Sequence, residues 1–289
     1  MDQRRTFLDI PYKEHIVPFP NTAAVILQHA RVFPEKIAFR FKNRSCTYAD
    51  ILNNCLTFKV TANDRPLLSF RDPEKSLISL LALLYQGIPF DLNFQAECDR
   101  ISASFTEQHK KENRDIPFIR LDDEACRLND TYLFSQYNLL VAAQTLGRAF
   151  RLFRPGDACC ALPIQSMSDL LFAVLAPFYY AKSILFDTTN PAEEVLNAKA
   201  QYAWCREIFP VCLPEDKKLL RDAAMLFKTE KQNTSLPAAY YLSLEDDSAA
   251  GLAVIRNASG DIIPLPGCDI LRDADGKFWI TSHAAAILL

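Results

Sequence analysis

Glycine is scarce in this sequence: seven in 289 residues is about a third of the ~7% usual in proteins, whereas its proline content is ordinary. Loops that cradle phosphates need glycines, because backbone N–H groups must approach the anion without a Cβ in the way. The seven, at 87, 147, 156, 251, 260, 267 and 276, never come closer than seven residues to one another. No glycine-rich loop is therefore on offer anywhere in the chain. Also missing is any C-x-x-C pair among the nine cysteines. Their odd number, and their place in apolar runs such as Ala158-Cys-Cys-Ala-Leu162, point to free, buried thiols in a reducing compartment rather than disulfides or zinc. No apolar run reaches the ~18 residues of a membrane span. The segment Met1 to His15 carries two arginines with no apolar stretch behind them, so a cytoplasmic protein is expected. A formal net charge of -3 with scattered Lys and Arg leaves no basic field for nucleic acid or anionic lipid. G-x-S-x-G, H-E-x-x-H and G-x-G-x-x-G are absent, and the histidines at 15, 29, 109 and 283 are isolated. No metal site is expected, and His29, inside a helical pattern, reads as a packed or surface residue.

What is present is an ordinary globular balance, 49% apolar and 23% charged, enough for one large domain or two lobes sharing a core. Amphipathic helices alternate with short apolar strands through most of the chain. Asn21 caps a helix to about Phe33, followed by a strand from Ile37 to Phe41. Thr47 to Asp50 has capping-box spacing and opens a helix to about Phe58. A strand at Pro66 to Phe70 precedes Asp72-Pro73-Glu74, which puts proline at the first helical position and a carboxylate in the positive first turn. That helix stops at Gly87. A strand at Ile88 to Leu92, a helix from Glu97 to His109 and a strand at Pro117 to Leu121 follow. Ser135 caps a helix to about Phe153. Ala158 to Leu162, a helix around Asp169 to Tyr180, and Ser183 to Phe186 make a βαβ unit, which implies parallel strands buried on both faces. Further helix starts fall at Asn190 and Leu213, around a strand from Ile208 to Leu213. Beyond Leu236 the pattern turns to strands: Ala238 to Leu244, Gly251 to Arg256, and a hairpin of Cys268 to Arg272 with Phe278 to Thr281.

Several segments resemble, in order, the N-terminal domain of the adenylate-forming superfamily, which includes acyl-CoA synthetases, peptide-synthetase adenylation domains and luciferases. Ala24-Val-Ile-Leu-Gln-His-Ala-Arg-Val-Phe-Pro-Glu-Lys-Ile-Ala38 is similar to the family's first helix and the strand after it. Arg44-Ser-Cys-Thr-Tyr-Ala-Asp50 resembles x-S-L-T-Y-x-E/D, and Leu77 to Gly87 with Pro89 and Leu92 resembles hhALLxAGAVYVPLDP. Ser135-Gln-Tyr-Asn-Leu-Leu140 is like SHxNL. Tyr241-Leu-Ser-Leu-Glu245 falls where YGxTE belongs, and Pro264-Leu-Pro-Gly-Cys-Asp269 with Gly276-Lys-Phe-Trp-Ile280 resembles the segment beyond it. The resemblance implies an α/β fold of mostly parallel sheets flanked by helices, with a smaller β-rich C-terminal lobe. It divides the chain into α/β lobes over 1–235 and a β-rich lobe over 236–289, with the family's C-terminal catalytic domain expected to be absent.

The departures lie in the chemical motifs. In the family, a Ser/Thr/Gly-rich loop ending in Pro-Lys-Gly precedes SHxNL and holds the ATP phosphates. Here the corresponding stretch is Asp122-Asp-Glu-Ala-Cys-Arg-Leu-Asn-Asp130, with no glycine and no lysine. A unit charge pair ~5 Å apart at an effective dielectric of ~20 is worth about 3 kcal/mol, so a carboxylate in place of a cation costs roughly a hundredfold in affinity. At YGxTE, Leu242 and Leu244 replace the glycine and threonine, while Tyr241 and Glu245 remain as a vestigial nucleotide-binding pair, a base-stacking ring and a metal carboxylate by resemblance. The acyl-pocket segment PLFHxxG reads Pro163-Ile-Gln-Ser-Met-Ser-Asp169, which makes Ser166, Met167 and Asp169 the pocket candidates. The sequence ends before the family's TGD aspartate and catalytic lysine. The expectation is a catalytically degenerate acyl/aryl-acid-ligase-like protein with no catalytic residues and no cofactor. It would serve as a binding or scaffold partner of an acyl carrier protein or biosynthetic enzyme, with a small acyl or aryl ligand as a further possibility. The alternatives are an ATP- and Mg-dependent ligase subunit completed by another chain, and a CoA-thioester binder.

Overall fold

Every long helix starts where a short polar side chain can satisfy its first N–H groups. In the computed structural model, Asn21 Oδ1 accepts from Ala24 N at 2.9 Å. Thr47 and Asp50 form a reciprocal capping box. Asp72 Oδ1 accepts from Lys75 N at 3.2 Å, with Pro73 behind it. Ser135 and Asn138 exchange side-chain and backbone bonds of 2.9 and 3.2 Å. The structure describes residues 6–7, 10–11, 17–60, 65–101, 103–105, 117–149, 152–153, 156–160 and 163–186, and beyond them the strands at 202–205, 224–227, 239–241, 254–256, 262–264, 268–272, 278–282 and 287–288.

In chain order the elements are β1 (Thr6–Phe7), β2 (Ile10–Pro11), α1 (Thr22–Val32), β3 (Ile37–Phe41), β4 (Arg44–Thr47), α2 (Tyr48–Thr57), β5 (Phe58–Val60), β6 (Leu67–Leu68), α3 (Pro73–Gln86), β7 (Phe90–Leu92) and β8 (Ala103–Phe105). They continue with β9 (Glu124–Leu128), β10 (Tyr132–Ser135), α4 (Gln136–Ala149), β11 (Ala158–Cys160), α5 (Met167–Leu170), a π-helical stretch (Leu171–Leu175), α6 (Ala176–Tyr179) and β12 (Ile184–Phe186). The remaining strands are β13 (Tyr202–Cys205), β14 (Ala224–Phe227), β15 (Ala239–Tyr241), β16 (Val254–Arg256), β17 (Ile262–Pro264), β18 (Cys268–Arg272), β19 (Phe278–Ser282) and β20 (Ile287–Leu288).

Two sheets carry the fold. The larger has the order β17-β16-β15-β14-β13-β11-β12-β3-β4; its six central strands, β3 and β11 to β15, run parallel, and antiparallel strands close both edges. The smaller has the order β20-β10-β9-β7-β6, parallel from β6 to β9 and antiparallel beyond. This mixed α/β architecture, sheets flanked by helices, is the expected class. β18 and β19 form the expected hairpin by themselves, and β15 to β17 continue the larger sheet. One buried cluster unites both sheets with the helices. On the smaller sheet, Phe90, Cys126 and Phe134 lie side by side across three strands and are fully buried. On α3, Leu77, Leu80, Leu81, Leu83 and Leu84 are buried, together worth at most about 15 kcal/mol. Gly87 ends α3 at φ 67°, the left-handed position that favours glycine.

Some expected elements differ. The helix read from Glu97 to His109 does not form over its described part. Asp99 is instead pinned by Ser69 N, Ser69 Oγ and Ser76 Oγ at 2.6–2.8 Å, and Ala103–Phe105 pairs with β5 as a strand. Bonds to distant residues override the local pattern here. Pro117 to Leu121 is no strand either: the Pro117 and Ile119 carbonyls accept from Asn21 Nδ2, and the Leu121 carbonyl from Tyr137 N, so its backbone serves the ends of α1 and α4. The helix from Ser135 ends at Ala149, and the one read from Asp169 begins at Met167. β9, β10, β13 and β14 were not expected. The helix starts at Asn190 and Leu213 and the strand Ile208 to Leu213 lie outside the described residues.

Candidate functional site

The segment that falls where the resembling family has its phosphate loop is a tight hairpin. β9 and β10 pair antiparallel, and Asn129 and Asp130 turn between them with φ 51° and 56°. Two consecutive left-handed residues are the signature of the primed turns that match the twist of a two-stranded ribbon, and Asn and Asp are the non-glycine residues that tolerate them best. Thr131 N donates to the Leu128 carbonyl at 3.1 Å and Asn129 N to the Leu92 carbonyl at 3.1 Å. Two of the N–H groups that an anion would need are thus already bonded. The nearby cations are also engaged. Arg65 Nε lies 2.5 Å from Asp91 Oδ1, and its guanidinium is also paired with Glu124. Arg127 grips Glu124 through two bonds of 2.8 and 3.2 Å. Burial works against the Glu124 carboxylate, yet the hydrogen bonds from Arg127 and Arg65 outweigh it and hold its pKa below the usual range. Burial pushes Asp91 up, against the pull of Arg65. Cross-strand neighbours Asp91 and Arg127 were not anticipated, because their pairing depends on register.

Ser166, Met167 and Asp169 lie together at the start of α5. Ser166 Oγ donates to Asp169 Oδ2 at 2.8 Å, Asp169 N donates to Ser166 Oγ at 3.1 Å, and Gln165 N reaches the same carboxylate oxygen at 3.0 Å. These three bonds form an arrangement like a capping box, in which the Ser166 hydroxyl accepts from one N–H of the first turn and the Asp169 carboxylate reaches back to the backbone ahead of the helix. Asp169 and Met167 are buried. The helix then widens: Ala176 N bonds the Leu171 carbonyl across a π turn. Pro177 supplies the cause, since a proline has no N–H to give and its ring crowds the carbonyl four residues back.

Tyr241 is the last residue of β15, opposite Phe227 and Arg256. The C-terminal end of β11 leads into the Ser166 segment, and β11, β13, β14 and β15 are successive parallel strands. Tyr241 therefore lies at the carboxyl edge of the sheet, where open α/β sheets commonly place their ligands, three strands or about 14 Å from β11, the strand that precedes the Ser166 segment. Glu245 lies outside the described residues.

The opposite edge holds a second polar group. His29 Nε2 lies 3.1 Å from the Tyr179 carbonyl, and its ring meets those of Tyr48 and Phe178 edge-on. Burial lowers its pKa to about 4. Lys182 Nζ donates to the Gly156 carbonyl at 2.9 Å and Lys36 Nζ to the Ala181 carbonyl at 2.6 Å. Burial, then repulsion from Lys36, brings Lys182 down to about 8. These groups close the ends of helices and strands. Among the described residues, Cys46, Cys55, Cys98 and Cys126 are free thiols, the first two and Cys126 buried. Burial raises the pKa of Cys46 to about 11, which leaves it an unreactive thiol. No group of three His, Cys, Asp or Glu among the described residues could hold a metal ion, and no described helix is long and apolar enough to cross a membrane.

No protein-family model matches the sequence, and neither does any curated protein. Solved structures do. The Klebsiella oxytoca NpsA N-terminal subdomain, in complex with 3-hydroxyanthranilyl-AMSN, is 13% identical with a TM-score of 0.62, covering 93% of this chain and 89% of its own. O-succinylbenzoate coenzyme A synthetase from Bacillus subtilis is 12% identical with a TM-score of 0.65, covering 94% and 75%. The nonribosomal peptide synthetase FmoA3, in its AMPPNP-bound form, is 12% identical with a TM-score of 0.65, covering 94% and 38%. Identities this low speak for architecture alone. With its order of elements and near-complete coverage by acyl-acid ligases and adenylation domains, the chain has the fold of the N-terminal domain of the adenylate-forming enzymes.

Proposed function

We propose that this chain is a catalytically degenerate relative of the acyl- and aryl-acid ligases, acting in the cytoplasm as a binding or scaffold partner in acyl, lipid or secondary-metabolite biosynthesis. The observation that carries this reading is the Asn129-Asp130 turn. Where the resembling family keeps an open, glycine-rich phosphate loop, this chain has a closed hairpin whose N–H groups bond to Leu92 and Leu128. A fold does not oblige its bearer to one chemistry. Its partner would be an acyl carrier protein or a biosynthetic enzyme. The α/β part over 1–235 would carry the acyl- or aryl-facing segment at Ser166, Met167 and Asp169, beside a β-rich part over 236–289.

The second reading is an AMP-dependent acyl-acid ligase subunit with an atypical nucleotide site, completed by another chain. It is favoured by Tyr241, which ends β15 at the carboxyl edge of the larger sheet. Titration calorimetry and thermal shift with Mg-ATP, then with acyl acids and acyl-CoAs, separate the two, because a ligand of the native state stabilises it by RT ln(1 + [L]/Kd). The degenerate reading expects no response to Mg-ATP. Binding tighter than about 1 mM, a stabilisation of about 1.4 kcal/mol at tenfold excess, overturns it.

A further inference from the structure

We draw no further inference here: the strongest candidate, the apolar cavity of about 30 Å³ between α1, α3, α4 and α6, offers no free polar group, since the Thr22 hydroxyl on its wall is already engaged by the Leu84 carbonyl and Gln136, and nothing in the structure shows what enters it.

Discussion

The helical layer and the β9–β10 hairpin answer differently to sequence change. The layer is held by many small, separable terms: caps at Asn21, Thr47, Asp72 and Ser135, and buried leucines along α3 and α4. A cap is worth about 1 kcal/mol and a leucine ~1.5–3 kcal/mol, so most can be exchanged for equivalents without losing the arrangement. A phosphate loop cannot be built up that way. It needs open N–H groups, glycines and a cation all at once, and the hairpin at Asn129 and Asp130 supplies none of these together. A fold can therefore persist at 12–13% identity without one short segment keeping the glycines and cation that a phosphate loop needs.

The largest expected break in the layer is at Gly147, where a Cβ would fall 1.8 Å from the Tyr180 ring. Gly147→Val should cost about 4 kcal/mol or prevent folding, read as the midpoint of urea unfolding. Adding Tyr180→Ala should recover part of that loss. A variant that unfolds like the parent would show that α4 and α6 do not meet as described.

Acid tests the same layer through His29. Its folded pKa of about 4 lies below the 6.5 usual for a free imidazole, so between those pH values the unfolded chain binds the proton more readily. The stability it contributes is whole above pH ~6.5 and is lost as pH falls toward ~4, by about 3 kcal/mol in all. His29→Gln should flatten this part of the stability profile, as followed by chemical denaturation at each pH. An unchanged slope would remove His29 from the account.

The helical layer was legible because caps and apolar periodicity are local: Asn21, Thr47-Asp50, Asp72-Pro73 and Gly87 all act as their spacing says. The strand Ile37–Phe41 and the β18–β19 hairpin were equally plain. What escaped depends on partners far along the chain. Asp99 turns a helical pattern into a loop through Ser69 and Ser76, and the Glu124–Leu128 strand, acidic at its start, gains its place only between β7 and β10. The candidate site was legible in part. Its missing glycines and its acids stood in the sequence, whereas the closed turn and the pairing of Arg65 and Arg127 with carboxylates required the register of four strands.

A smaller effect is expected at a single cap. Asp50 of the capping box accepts from Thr47 N at 2.9 Å, and Thr47 Oγ1 from Asp50 N at 3.1 Å. Thr47→Ala should lower stability by about 1 kcal/mol, and Thr47→Ser by less than half of that. Equal losses for the two, measured by urea unfolding, would mean that the methyl group and not the hydroxyl matters.

The smallest effect discriminates most sharply between the two regions. Asp130 sits at φ 56°, where a Cβ costs energy that glycine avoids, and Asn-Gly is the preferred pair for such a turn. Asp130→Gly should therefore raise stability by about 0.5–1 kcal/mol. It also removes a carboxylate from the hairpin and gives the turn its first glycine, but the Asn129 and Thr131 N–H groups remain bonded to the Leu92 and Leu128 carbonyls. Mg-ATP should accordingly remain without effect on the melting temperature of the variant. If Asp130→Gly gained a response to Mg-ATP, the side chain of one residue rather than the closure of the turn would have been the obstacle, and the hairpin would be a phosphate loop one substitution from use.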